Sequence, residues 1–166
     1  VAAQDIKIKH PEVGLAVLIL LVFFTGLLTR GGDRRRVGVL SAVGLVILLG
    51  LSFRAEPGAV LFGGTFVQDE LAIFFKRLFL LATFLGVLGS LGLRAQTFAR
   101  RATEYYVAML GSLLGMLVLA SARDLILLFV AFELMSIPLY YLAGFLKREE
   151  AAVEAALKFF LVGTVS

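Results

Sequence analysis

Five apolar runs divide this chain, at 13–29, 37–53, 71–93, 105–122 and 125–145, and a sixth opens near Ala151. Each complete run holds about 17 to 23 residues, close to the ~20 that a helix needs to cross ~30 Å of hydrocarbon. The composition agrees with the runs. Of 166 residues, 60% are hydrophobic and only 17% charged, against about 25% charged in a soluble globular domain. Mean hydropathy is +0.99. The first run leads into Arg30 and the cluster Arg34, Arg35, Arg36, not into a small-residue cleavage site, so it reads as a retained span and not a signal peptide. The expected fold class is an all-α integral membrane protein, a polytopic bundle of five complete spans plus a truncated sixth. That sixth run reaches Ser166 with no charged or turn-forming stop, and the chain lacks an initiating Met. Both features read as an amino-terminal fragment, with residues 1–166 forming one transmembrane domain.

Loop charge sets the orientation, because Lys and Arg in short loops are retained on the cytoplasmic side. Loops after the first, third and fifth runs hold Arg30, Arg34, Arg35, Arg36, Arg94, Arg100, Arg101, Lys147 and Arg148. The other side holds only Lys7, Lys9, Arg54 and Arg123. The amino terminus is therefore expected outside and the loop at 147–150 inside.

The net charge of +4 and pI near 9.7 come from these loops and not from one basic stripe, so they report topology and not nucleic-acid binding. With no cysteine, the chain cannot form disulfides, thiolate metal sites or iron-sulfur clusters. The single His10 reads as a polar interfacial residue. No glycine-rich phosphate loop and no helix with two His at metal spacing occurs. The chain is expected to bind no metal, flavin or NADH of its own. Gly111 and Gly115, in one four-residue step, fit close approach of helix backbones.

Charges inside the apolar runs are the candidates for chemistry. Glu133 lies near the middle of the fifth run, among Phe129, Val130, Phe132, Leu134 and Ile137. A carboxylate at a helix centre costs about 2.5 to 3.5 kcal/mol on insertion scales, so it usually faces protein or a water-filled cavity. Desolvation there would favour its protonated form. A hydrogen-bonding role between helices is the other reading. Pro138 lacks the N–H that would bond the Leu134 carbonyl, so this turn is expected to kink and to face protein or water. Lys158, in the sixth run, is also expected near mid-membrane. It reads either as a proton acceptor with lowered affinity or as an i, i+4 ion pair with Glu154. Glu149, Glu150 and Glu154 suit the positive amino end of a helix. Lys76 and Arg77, behind Asp69 and Glu70, read as snorkelling to the outer interface or as part of a charged chain between helices.

FELMSIPLYYLAGF at 132–145, EAALKFFLVG at 154–163 and DELAIFFKRLFLLATFL at 69–85 resemble the antiporter-like membrane subunits of bacterial NADH:quinone oxidoreductase, respiratory complex I. SIPLYYLAGF is most similar to the N type. The resemblance covers roughly the last hundred residues. It implies a fold of two inverted five-helix repeats, of which this chain holds the first half. It also implies proton translocation through the buried residues Glu133 and Lys158, coupled to quinone reduction elsewhere in the complex. In that family the glutamate matching Glu133 pairs with a lysine on a seventh helix that this chain does not contain, and Lys158 matches a further membrane lysine. The implied partners are the other membrane subunits of the complex, the lipid bilayer of the bacterial cytoplasmic membrane, and protons. NADH, FMN, iron-sulfur clusters and quinone belong to the complex as a whole. The shared glutamate and lysine pattern leaves two alternatives, an Mrp-type cation/proton antiporter subunit and a non-transporting membrane scaffold.

Overall fold

The computed structural model describes residues 11–29, 34–92, 101–145 and 150–165. His10 and the loop cations Lys7, Lys9, Arg30, Arg94, Arg100, Lys147 and Arg148 lie outside the described residues. Six helices make up most of the rest: α1 (Pro11–Leu28), α2 (Arg34–Ser52), α3 (Glu70–Leu91), α4 (Ala102–Ser121), α5 (Leu125–Ala143) and α6 (Glu150–Val165). The first five are long and apolar enough to cross a membrane. Helix is the natural state of such segments, because lipid offers nothing to hydrogen-bond a free backbone group. Two starts are fixed by carboxylates. Asp69 accepts from Ala72 N at 2.7 Å to cap α3, and Asp124 accepts from Ile126 N at 3.1 Å to cap α5. Each helix starts and stops within a few residues of its apolar run.

Helix α4 is the hub, packed against α1, α2, α3 and α5, whereas α6 packs chiefly on α5. Its Tyr106, Leu110, Leu113 and Leu117 are fully buried and join Leu15, Leu45, Leu80 and Val87 in one core. Contacts along the glycines fix the helices as antiparallel neighbours. Gly14 near the start of α1 meets Leu48 near the end of α2, and Gly26 at the end of α1 meets Thr103 at the start of α4. One end of the bundle therefore gathers the starts of α1, α3 and α5 and the ends of α2 and α4. The outer surface is as apolar as the core, with Leu20, Phe24, Phe74, Leu85, Ile126 and Phe129 all exposed. In water so much apolar area would drive aggregation, but in lipid it is the wetted surface. The chain is a multi-pass membrane protein.

A small hairpin departs from the all-helical expectation. Strands β1 (Ala59–Leu61) and β2 (Phe66–Gln68) pair antiparallel, with Val60 opposite Val67. A 3-10 turn at Phe62–Gly64 joins them, and Gly63 and Gly64 supply its positive φ angles of 66° and 96°. Phe62 shares the left-handed region at φ 52°, which costs a side-chain-bearing residue more than it costs glycine. The hairpin folds over the α2/α3 end of the bundle. Arg123 N donates to Thr65 O at 2.8 Å, and Phe66 bridges to Ala122, which ties the hairpin to the α4–α5 turn.

Candidate functional site

Helix α5 carries Glu133 eight residues past Leu125, about 12 Å along the axis and near its midpoint. The side chain is half-buried. Glycine-mediated contact with α4 shapes the backbone at this level. A Cβ added to Gly115 would lie 2.7 Å from Met135 Cα and 2.8 Å from the Leu134 carbonyl carbon, so the two backbones touch with no room for a side chain. One turn away, the corresponding point on Gly111 is 3.7 Å from Cγ of Pro138. The proline turn therefore rests on α4, as the need to shield its freed carbonyl requires. Ser112 of α4 donates to Met135 O at 3.0 Å. Within α5, Ser136 donates to Phe132 O at 2.8 Å. Both bonds place hydroxyl groups beside the turn that leads to Pro138. Among the described residues, Glu133 has neither a hydrogen-bond partner nor an ion-pair partner.

Helix α6 docks on α5 through aromatic packing, not through charge. Tyr140 meets Phe159 and Phe160 edge-on, with ring centroids 5.0 and 5.6 Å apart, and its hydroxyl abuts Gly163. Lys158 points away from this seam. Its Nζ lies 2.5 Å from Glu154 Oε1, one turn earlier, and its side chain is 73% exposed. Lys158 is also about 12 Å into its helix, measured from the opposite end of the bundle. The two residues thus share a depth on packed helices, but no contact joins them among the described residues.

The deepest charge is elsewhere. Lys76 does not snorkel outward. Only 1% exposed, it turns into the bundle, with Nζ 2.5 Å from Glu12 Oε1 of α1 and 3.3 Å from Gln68 Oε1 of β2. Phe66 places its ring 4.9 Å from the same nitrogen. Neither Glu12 oxygen accepts an aligned hydrogen bond, so charge holds this pair. The inward turn has a local cause: the hairpin covers this end of α3, so the shortest way to a partner is into the bundle. Arg77 turns instead to the end of α2. It donates to Ser52 O at 3.0 Å and sits 4.7 Å over the Phe53 ring, placing a cation at the negative end of α2. Asp69 pairs with exposed Arg123. The Ala72 backbone N–H holds the Asp69 carboxyl below its usual range; burial opposes it, and the bond and charge of Arg123 add to the lowering. No group of three or more metal-ligating side chains gathers among the described residues.

Known proteins are similar to this chain in sequence and fold. Residues 122–166 match the family described as NADH:quinone oxidoreductase/Mrp antiporter, transmembrane region. Over 94% of its length the chain is 35% identical to NADH-quinone oxidoreductase subunit N 2 of Rhizobium meliloti. Over 98% it is 32% identical to F(420)H(2) dehydrogenase subunit N of Methanosarcina mazei. A chain of respiratory complex I from Thermus thermophilus, solved with bound aureothin, superposes with a TM-score of 0.77 at 31% identity over 93% of this chain. The chain is similar to the N subunits of such complexes. It spans about a third of their length, 33% and 34% of the two sequence relatives and 33% of the Thermus chain. Glu133, Pro138, Glu154 and Lys158 all fall within the family match, whereas Glu12 and Lys76 lie outside it. The N-type likeness extends to the hairpin end only through the longer alignments.

Proposed function

We propose that residues 1–166 form the first part of an antiporter-like domain in a proton-translocating membrane-arm subunit. It would move protons through Glu133 and Lys158 and be driven by quinone reduction in other subunits of a respiratory complex. The observation that carries this reading is the carboxylate at mid-helix in α5, with no partner among the described residues, next to a turn whose Leu134–Met135 backbone rests on Gly115 and whose Pro138 ring rests on Gly111. A group bound for lipid would be replaced by an apolar one at lower cost, and a purely structural acid would hold a hydrogen bond. Glu133 instead has the surroundings of a group that loads and unloads a proton. Lys158, paired with Glu154 on an open face, can exchange that partner for another without breaking the α5–α6 seam.

In this reading the amino terminus and the hairpin lie outside a bacterial cytoplasmic membrane, and the α5–α6 loop lies inside. Other membrane subunits cover part of the open apolar surface, and the redox groups sit on other chains. The same residues would serve an Mrp-type cation/proton antiporter, which the family description also names. Purifying the full-length subunit in mild detergent and identifying its companions by mass spectrometry separates the two. Flavin and iron-sulfur subunits in constant ratio are expected. An assembly without redox subunits that exchanges sodium for protons would favour the antiporter.

A further inference from the structure

Glu12 and Lys76 belong neither to the Glu133 turn nor to the Lys158 face, yet theirs is the most buried ion pair among the described residues. A fastening between α1 and α3 needs no charge, because replacing a buried pair with apolar groups of similar size is often neutral or stabilising. The pair is also poorly served. Three ammonium hydrogens face one carboxylate, one amide oxygen at 3.3 Å and a ring face. The carboxylate has both oxygens buried and receives no aligned hydrogen bond. One proton passed across the 2.5 Å contact would remove both charges at once. Neighbouring charges are engaged elsewhere: Arg77 with Ser52 O and Phe53, and Asp69 with Ala72 N and Arg123. Glu56 offers this cluster its backbone carbonyl, which accepts from Gln68 Nε2 at 3.2 Å.

We propose that Glu12 and Lys76 form a second proton-bearing site, at the hairpin end of the bundle. The N–H bond of Lys76 breaks, nitrogen keeps the electron pair, and the proton forms an O–H bond on Glu12. The acid sits in the first turn of α1 with both oxygens buried, and it gives that proton to water beyond the helix start. A proton taken up by the Lys76 lone pair then restores the ion pair. This site rests on the reading of the chain as proton-translocating, and it adds a station near the outer surface that Glu133 and Lys158 do not supply.

Two variants of the full-length subunit, assembled in its complex in sealed vesicles, test it. Lys76→Arg keeps the charge and the pairing but holds its proton too tightly to release it. The double variant Glu12→Gln/Lys76→Met removes both charges with little change in volume. Both are expected to assemble and to lose proton pumping by about tenfold or more. Either one assembling and pumping at the wild-type rate would overturn the proposal. So would failure of both to reach the complex, since the pair would then be a structural fastening. Glu133→Gln measured alongside separates the two levels. If it abolishes pumping while Lys76→Arg does not, only the outer site fails, and if it has no effect, the underlying reading fails.

Discussion

At the residue scale, the meaning of a charge in this chain is set by its neighbours more than by its depth. Lys158 and Glu154 could be paired on paper, because i, i+4 spacing puts them on one helix face, and the structure forms that pair. Lys76 could not. Its partner Glu12 is far away in the chain, and only the packing of α1 against α3 beneath the hairpin brings them together. Position near a helix end leaves snorkelling and a charged chain between helices both open; Lys76 pairs across helices with Glu12, and Arg77 meets the end of α2. The sequence signal is Glu12 itself, an acid directly after Pro11 and just ahead of the first apolar run. Glu133 was recognisable because nothing nearby in the chain could neutralise it, although its contact with the α4 glycines was not. For Lys158, the account expects Lys158→Met to lower pumping severalfold, with Lys158→Arg also impaired because arginine does not release its proton. Proton uptake by sealed vesicles measures both. Wild-type pumping with Met would leave Lys158 as an ion-pair partner of Glu154 and nothing more.

At the element scale, run length and charge were enough to find the helices, since hydrocarbon thickness leaves little freedom in either. The hairpin at 59–68 is not legible in the sequence, because three-residue strands show no usable alternation and adjacent Gly63 and Gly64 mark its turn only weakly. The seam between α4 and α5 was half legible. The four-residue step of Gly111 and Gly115 announced a close helix contact, but only the structure assigns it to the Pro138 turn. This seam gives a direct test. Gly115→Ala would force a Cβ into the backbone of Met135 and should destabilise the bundle by about 1 to 3 kcal/mol, the usual penalty for overpacking. Gly89→Ala meets nothing within 4 Å and should leave stability unchanged or slightly raised. Thermal unfolding of the two variants in detergent measures the contrast. Equal melting temperatures would mean that α4 and α5 are not in backbone contact.

At the scale of the whole molecule, the five spans and the hairpin give the two ends of the bundle different characters. The hairpin end is capped by protein and contains the Asp69–Arg123 pair and the buried Lys76. The opposite end carries the arginines that begin α2, with the Tyr141 hydroxyl donating to Glu104 at 2.5 Å. If the hairpin faces outward, cysteine at position 56 (Glu56→Cys) should react with a membrane-impermeant thiol reagent in intact cells, and cysteine at position 150 (Glu150→Cys) should react only after permeabilisation. The reverse pattern would invert the topology. The central claim concerns what crosses between those ends, so proton movement in the assembled full-length system tests it most directly. Glu133→Gln keeps size and hydrogen-bonding capacity but cannot ionise, whereas Glu133→Asp keeps the titratable group on a shorter arm. With assembly verified, quinone-driven proton uptake in sealed vesicles should fall by about tenfold or more in the Gln variant, with Asp retaining more of it. A correctly assembled Gln variant that pumps at the wild-type rate would contradict the account and leave Glu133 a structural residue.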